Sequence, residues 1–111
     1  MVNQTPLRVV FFGTPDFAVP TLDALQTHEQ SVVRLVVTQP DRPAGRGSRL
    51  TPSPVKQRAT AAGIPVCTPE SIRRERDLFI RSLEAHGPFD LGVIIAFGQI
   101  LPEWLLGYPR L

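Results

Sequence analysis

Arg42, Arg46, Arg49 and Lys56 fall within one stretch, "TQPDRPAGRGSRLTPSPVK" (residues 38–56), where Asp41 is the only opposing charge. Guanidinium and ammonium groups at this density suit phosphate. A charge-assisted bond to a phosphate oxygen contributes about 1.5–3 kcal/mol, so three would supply a useful part of the affinity for a nucleic acid. Pro40, Pro43, Pro52 and Pro54 stiffen the stretch and so reduce the entropy lost when it is fixed on a partner. Gly45 and Gly47 let the backbone around Arg46 approach a partner closely. The segment carries +3 and the remainder of the chain −1, against +2 in all. The basic character is thus local, as an electrostatic footprint for a polyanion would be. The same charges also suit a solvated, proline-stiffened surface loop, and the stretch is too short to decide between the two.

Two further segments have chemical interest. "GTPDF", 13–17, follows an apolar run as a phosphate-binding turn would, but it has a single glycine. The dinucleotide fingerprint needs three, for the tight turn, the pyrophosphate approach and helix packing. An NAD or FAD site is therefore not expected, and Thr14 or Asp16 reads as a helix cap. "AFGQILP", 96–102, breaks at Gly98, where the backbone of Phe97 to Leu101 could present N–H and C=O groups to a flat heterocycle or simply turn into a capped helix. His28 and His86 sit near predicted helix ends, with no carboxylate at catalytic or metal-binding spacing. Both read as structural, and no metal site is expected. "RRERD", 73–77, reads as a solvated helix face. Cys67, the only cysteine, excludes an internal disulfide and reads as a small apolar residue ending a strand.

The elements that must position these residues alternate. "LRVVFF" (7–12), "SVVRLVVT" (31–38), "IPVC" (64–67) and "DLGVIIAF" (90–97) are short apolar runs suited to strands buried on both faces. Between them, helices are predicted from near Asp16 to Thr27, from Pro54 to Ala62 behind a Ser53 cap, and along 69–87 with Ile72, Phe79, Ile80 and Leu83 on one face. The alternation predicts an α/β fold: a Rossmann-like open parallel sheet with flanking helices, binding ligands at the carboxyl ends of its strands. Length, 111 residues with 42% apolar, suits one domain. No apolar run reaches membrane-span length and no secretory signal is evident, so a cytoplasmic location without membrane contact is expected.

Taken in order, "FFGTPDFAVPTLDAL", "VTQPDRPAGRGSRLTPSPVK", "GIPVCTPESI" and "VIIAFGQILP" resemble the methionyl-tRNA formyltransferase family. The second segment is the most specific. Sugar-nucleotide formyltransferases and formyltetrahydrofolate hydrolases share the sheet but generally lack this loop. A non-catalytic RNA-binding module is the alternative from another class. The resemblance implies transfer of a formyl group from 10-formyltetrahydrofolate to the α-amine of methionyl initiator tRNA. It implies that Arg46, supported by Arg42, Arg49 and Lys56, contacts the tRNA, and that Phe97, Gly98, Gln99, Ile100 and Leu101 border the folate. Formyl transfer passes through a tetrahedral intermediate whose oxyanion needs fixed donors while the amine loses a proton. For this the family uses an asparagine, a histidine and an aspartate that follow the next strand, in a segment containing "SLLP". The only asparagine here is Asn3, and no histidine follows His86. The expectation is that residues 1–111 form the N-terminal part of the catalytic domain, incomplete at its C-terminal side, with the catalytic trio after Leu111. The rest of the folate pocket and the C-terminal β-domain are expected to be missing too. Such a chain would be inactive alone and prone to self-association through strand 90–97, whereas the complete enzyme is expected to be monomeric.

Overall fold

Runs of valine, leucine and phenylalanine with no polar face cannot lie on a solvated sheet, and in the computed structural model residues 9–12 and 35–37 are covered on both sides. Residues 91–95, also expected to be buried on both faces, instead lie at the sheet edge with Leu91 and Ile94 exposed. The structure describes residues 5–44, 47 and 49–107. Strands β1 (Leu7–Gly13), β2 (Ser31–Val37), β5 (Val66–Cys67) and β6 (Leu91–Ile95) form a parallel sheet in the order β5-β2-β1-β6. Successive residues of β1 feed different cores. Val9 and Phe11 join Leu22, Val55 and Ala59 beneath helices α1 (Val19–Thr27) and α2 (Pro54–Ala61). Val10 and Phe12 join Ile72, Phe79, Leu83 and Phe97 on the face covered by helix α3 (Arg76–His86). The short helix α4 (Glu103–Leu106) adds Leu105 to the second core.

The β1–β2 register slips between Val9, opposite Val33, and Val10, opposite Leu35. The extra residue is Arg34, which the slip leaves exposed while Val33 and Leu35 stay buried on opposite faces. A bulge accommodates one unpaired residue in this way, so a charged side chain interrupts an apolar strand without entering either core.

Helix ends follow local chemistry. Ser53 precedes α2, its hydroxyl accepting from the Lys56 N–H at 3.0 Å, and Pro54 occupies the first turn, where no intrahelical N–H bond is due. The same hydroxyl bonds Thr38 Oγ1 at 2.7 Å with both groups buried, tying the end of β2 to the start of α2. Ser53→Ala removes a cap worth about 1 kcal/mol and orphans the Thr38 hydroxyl, at about 1–3 kcal/mol. The expected melting point falls by roughly 10–15 °C, read by circular dichroism. Thr38→Val added to Ser53→Ala should recover part of the loss.

At the start of α1 the sequence predicts a Thr14 or Asp16 cap. Instead a single 3-10 turn, Asp16–Ala18, begins behind Pro15 with no side-chain cap. The Thr14 hydroxyl bonds the Phe97 carbonyl instead. "RRERD" divides: residues 72–75 form turns, and the helix starts at Arg76. Residues 38–56, predicted as irregular, contain an antiparallel hairpin of β3 (Arg42–Ala44) and β4 (Arg49–Thr51), with Arg42 opposite Thr51 and Ala44 opposite Arg49. Among the described residues, no helix is long and apolar enough to cross a membrane.

Candidate functional site

The chain leaves β1 toward β2 and β5 on one side, and β6 returns on the other side of β1. The winding therefore reverses between β1 and β6, and a crevice opens at the carboxyl ends of the strands where such a reversal occurs. Gly13 ends β1 there. A β-carbon on it would lie 2.7 Å from the Phe11 ring and 3.1 Å from the Ile95 carbonyl, so the two strand ends approach as closely as they do only because that atom is missing. Beyond β6 the backbone turns through Ala96 (φ 49°) and Gly98 (φ 99°), two left-handed residues on either side of Phe97. Such geometry is disfavoured for alanine and has to be held by its surroundings.

Three bonds hold it. Thr14 Oγ1 donates to the Phe97 carbonyl at 2.6 Å, Gln39 Nε2 donates to the same carbonyl at 3.3 Å, and the Gln39 N–H donates to Thr14 Oγ1 at 3.4 Å. The loops after β1, β2 and β6 are thereby joined. They border a shallow, open cavity of about 460 Å³ lined by Thr14, Gln39, Arg42, Glu70, Gly98 and Gln99, a volume within the range of small-molecule sites. Gln99 closes the far wall. Its Oε1 accepts from Ile72 N at 3.0 Å, while its Nε2 reaches the carbonyls of Pro69 at 3.0 Å and Glu70 at 3.2 Å and Gln39 Oε1 at 3.3 Å.

The residues expected around a heterocycle separate into two groups. Gly98 and Gln99 line this cavity together with the backbone of Phe97. The Phe97 ring points into the core, 2% exposed and edge-on to Phe12 with centroids 5.5 Å apart. Ile100 and Leu101 border a second cavity with Arg73 and Trp104, and Ile100 is 94% exposed. Arg76 lies 5.1 Å over the Trp104 ring, so that member of the arginine-rich segment is stacked rather than freely solvated.

The basic residues also differ in their surroundings. Arg42 reaches into the cavity mouth, its Nη2 donating to Gln39 Oε1 at 3.3 Å and its Nη1 3.6 Å from Glu70 Oε2. Both side chains of that ion pair are more than half exposed, so the pair contributes about 0–1 kcal/mol and can exchange partners cheaply. Lys56 Nζ holds Asp41 Oδ1 at 2.8 Å and pins the base of the hairpin. Arg49 is exposed on β4. Arg46 lies outside the described residues.

Other titratable candidates stand away from this site. His28 accepts from the Gln30 N–H at 3.0 Å, and His86 Nδ1 meets the Ser82 carbonyl at 3.0 Å. His86 borders a cavity of about 410 Å³ with Arg34 and Gly63 at the amino ends of the strands. Burial pushes the Cys67 thiol pKa up, assisted by the Glu75 charge and opposed by a Ser82 hydrogen bond, so Cys67 stays protonated rather than nucleophilic at neutral pH. Among the described residues, no group of three or more His, Cys, Asp or Glu side chains could hold a metal ion.

Gln39 lies within the 38–56 stretch, but it carries no charge and no role falls to it among the arginines and prolines there. Its place at the end of a buried strand is the one signal that could have marked it.

The formyl transferase family model matches residues 7–111. The methionyl-tRNA formyltransferase of Acidobacterium capsulatum is 51% identical over 104 residues, covering 94% of this chain and 32% of that protein. That of Synechocystis is 50% identical over 105 residues, covering 95% of this chain and 31% of that protein. That of Xanthomonas euvesicatoria is 53% identical over 105 residues, covering 93% and 32%. The chain thus spans 31–32% of the length of these three relatives.

Proposed function

The chain belongs to the formyl transferase family, and we propose that it serves, in the cytoplasm, as the N-terminal part of a methionyl-tRNA formyltransferase catalytic domain. The reaction would move a formyl group from 10-formyltetrahydrofolate to the α-amine of methionyl initiator tRNA. The observation that carries this reading is the juxtaposition of a basic hairpin with a cavity at the winding reversal of the sheet. The hairpin would meet RNA phosphates through Arg42, Arg46 and Arg49, recognising backbone near a helix end rather than base sequence. The adjoining cavity would take the flat ring of the folate donor against the 97–99 backbone and the two glutamine amides. Its volume and its mixed donor and acceptor groups suit such a ring. Both histidines stand away from this edge, so the chain's share of the reaction is binding and orientation.

The test is binding of a labelled tRNA acceptor-stem duplex to the chain across a salt series. With roughly three phosphate contacts, the logarithmic salt slope should be about −2 to −3. Absence of binding, or binding indifferent to salt, would reject the reading.

A further inference from the structure

Gln39 joins the two halves of the proposed site. Its Oε1 receives Arg42 from the hairpin and Gln99 from the cavity wall, while its Nε2 holds the Phe97 carbonyl. The orientation of each amide is fixed by a partner with a single role. Arg42 can only donate to Gln39 Oε1, the Phe97 carbonyl can only accept from its Nε2, and the Ile72 N–H can only donate to Gln99 Oε1. Gln99 Nε2 therefore faces three acceptors, Gln39 Oε1 and the carbonyls of Pro69 and Glu70, with two hydrogens to share. The three bonds cannot all be made fully at once, so the amide has alternative pairings, and Gln39 Oε1, with two lone pairs, shares its acceptor capacity between Gln99 and Arg42.

We propose that Gln39 is a positioning residue that couples phosphate capture by the hairpin to binding in the cavity. The proposal rests on the function proposed for hairpin and cavity. A phosphate that takes the Arg42 guanidinium draws it from both Gln39 and Glu70. Loss of the Arg42–Glu70 pair opens the cavity mouth, which those two side chains border. Gln39 Oε1, left with one donor, draws the Gln99 hydrogen to itself, and Gln99 releases one of the 69–70 carbonyls on the far wall. The heterocycle then enters a wider mouth and meets a freed carbonyl. The coupling is positive, and by linkage it is reciprocal: the cavity ligand must tighten phosphate binding by the same factor.

The experiment uses the full 111-residue chain, folic acid as the cavity probe and the acceptor-stem duplex as the phosphate probe. Folic acid affinity is measured with and without saturating duplex by quenching of Trp104, the only tryptophan. The wild-type chain is expected to bind folic acid about fivefold more tightly when the duplex is present, at the low end of ordinary coupling. Gln39→Leu removes all three side-chain bonds, and the ratio is expected to fall to one. Because the ratio compares the same variant with and without duplex, changes in either affinity alone cancel. If Gln39→Leu does not fold, Gln39→Met, which keeps the side-chain length and likewise lacks the amide, takes its place, and a ratio that stays near five in it would overturn the proposal. Binding of both probes without mutual influence would overturn the coupling and leave the proposed function standing. Failure of the duplex to bind would reject that function, and the coupling with it; failure of folic acid to bind in the presence of bound duplex would overturn the coupling.

Discussion

Replacing Arg42, Arg46 and Arg49 together by glutamine is expected to weaken binding of a tRNA acceptor stem about 100-fold. Each contact with phosphate is a charge-assisted bond of about 1.5–3 kcal/mol before competing partners are subtracted. Arg42 gives up Glu70 and Gln39 to make its contact, so about 1 kcal/mol per arginine is the appropriate net figure, in line with partly screened surface pairs. The salt slope should flatten by about 2 to 3 in the same variant, because each neutralised phosphate otherwise releases condensed counterions. Lys56→Met should weaken RNA binding far less than Arg49→Gln. Its ammonium is half-buried against Asp41, whereas the Arg49 side chain stands open on β4. Thermal melts of each variant separate lost contacts from lost fold. An unchanged affinity and slope in the triple variant would show that the hairpin is not the polyanion footprint.

The second large effect concerns Phe97. Phe97→Ala is expected to cost about 3–5 kcal/mol in urea denaturation, a large part of the roughly 5–15 kcal/mol that holds an ordinary domain together. Phe97 is 2% exposed, packs edge-on to Phe12 and shares a core with Phe79, Leu83 and Leu105. Phe97→Leu keeps most of the buried volume and should be far milder. Because only the Phe97 backbone borders the cavity, with its carbonyl held by Thr14 and Gln39, folic acid binding should survive Phe97→Leu. Loss of that binding in a stably folded Phe97→Leu chain would place the ring against the ligand instead.

Strands β1 and β2 were legible because valine, leucine and phenylalanine occur there in nearly unbroken runs, and two-sided burial is the way such runs are covered. From its own run β6 was legible as a strand but not as an edge, where Leu91 and Ile94 stay exposed. The Ser53 cap was legible because serine before proline at a helix start has a direct backbone role. The hairpin was not. Pro43 sits within β3, and neither strand shows the alternation that marks a half-buried ribbon, so the local residues describe an irregular loop. Its arginines were legible as chemistry while their partners were not: the pairing of Arg42 with Glu70 and of Lys56 with Asp41 depends on how distant loops meet. For the cavity, "AFGQ" was readable as a break after a strand. That the Phe97 ring turns inward and that Gln99 spends its amide on four backbone and side-chain partners depend on the left-handed turn at 96–98, which residue spacing does not announce.

Arg34 occupies a surplus position. Remove it, and Val33 and Leu35 become consecutive residues already directed to opposite sides of the sheet, so the strand could run on without offset and every apolar side chain beyond would keep its present neighbour. Excising Val36 or Val37, the valines beside Phe11 and Phe12 in the register, would instead turn each later side chain to the opposite side of the sheet. Deletion of Arg34 is therefore expected to leave the fold standing, and deletion of Val36 to abolish it, as read by circular dichroism.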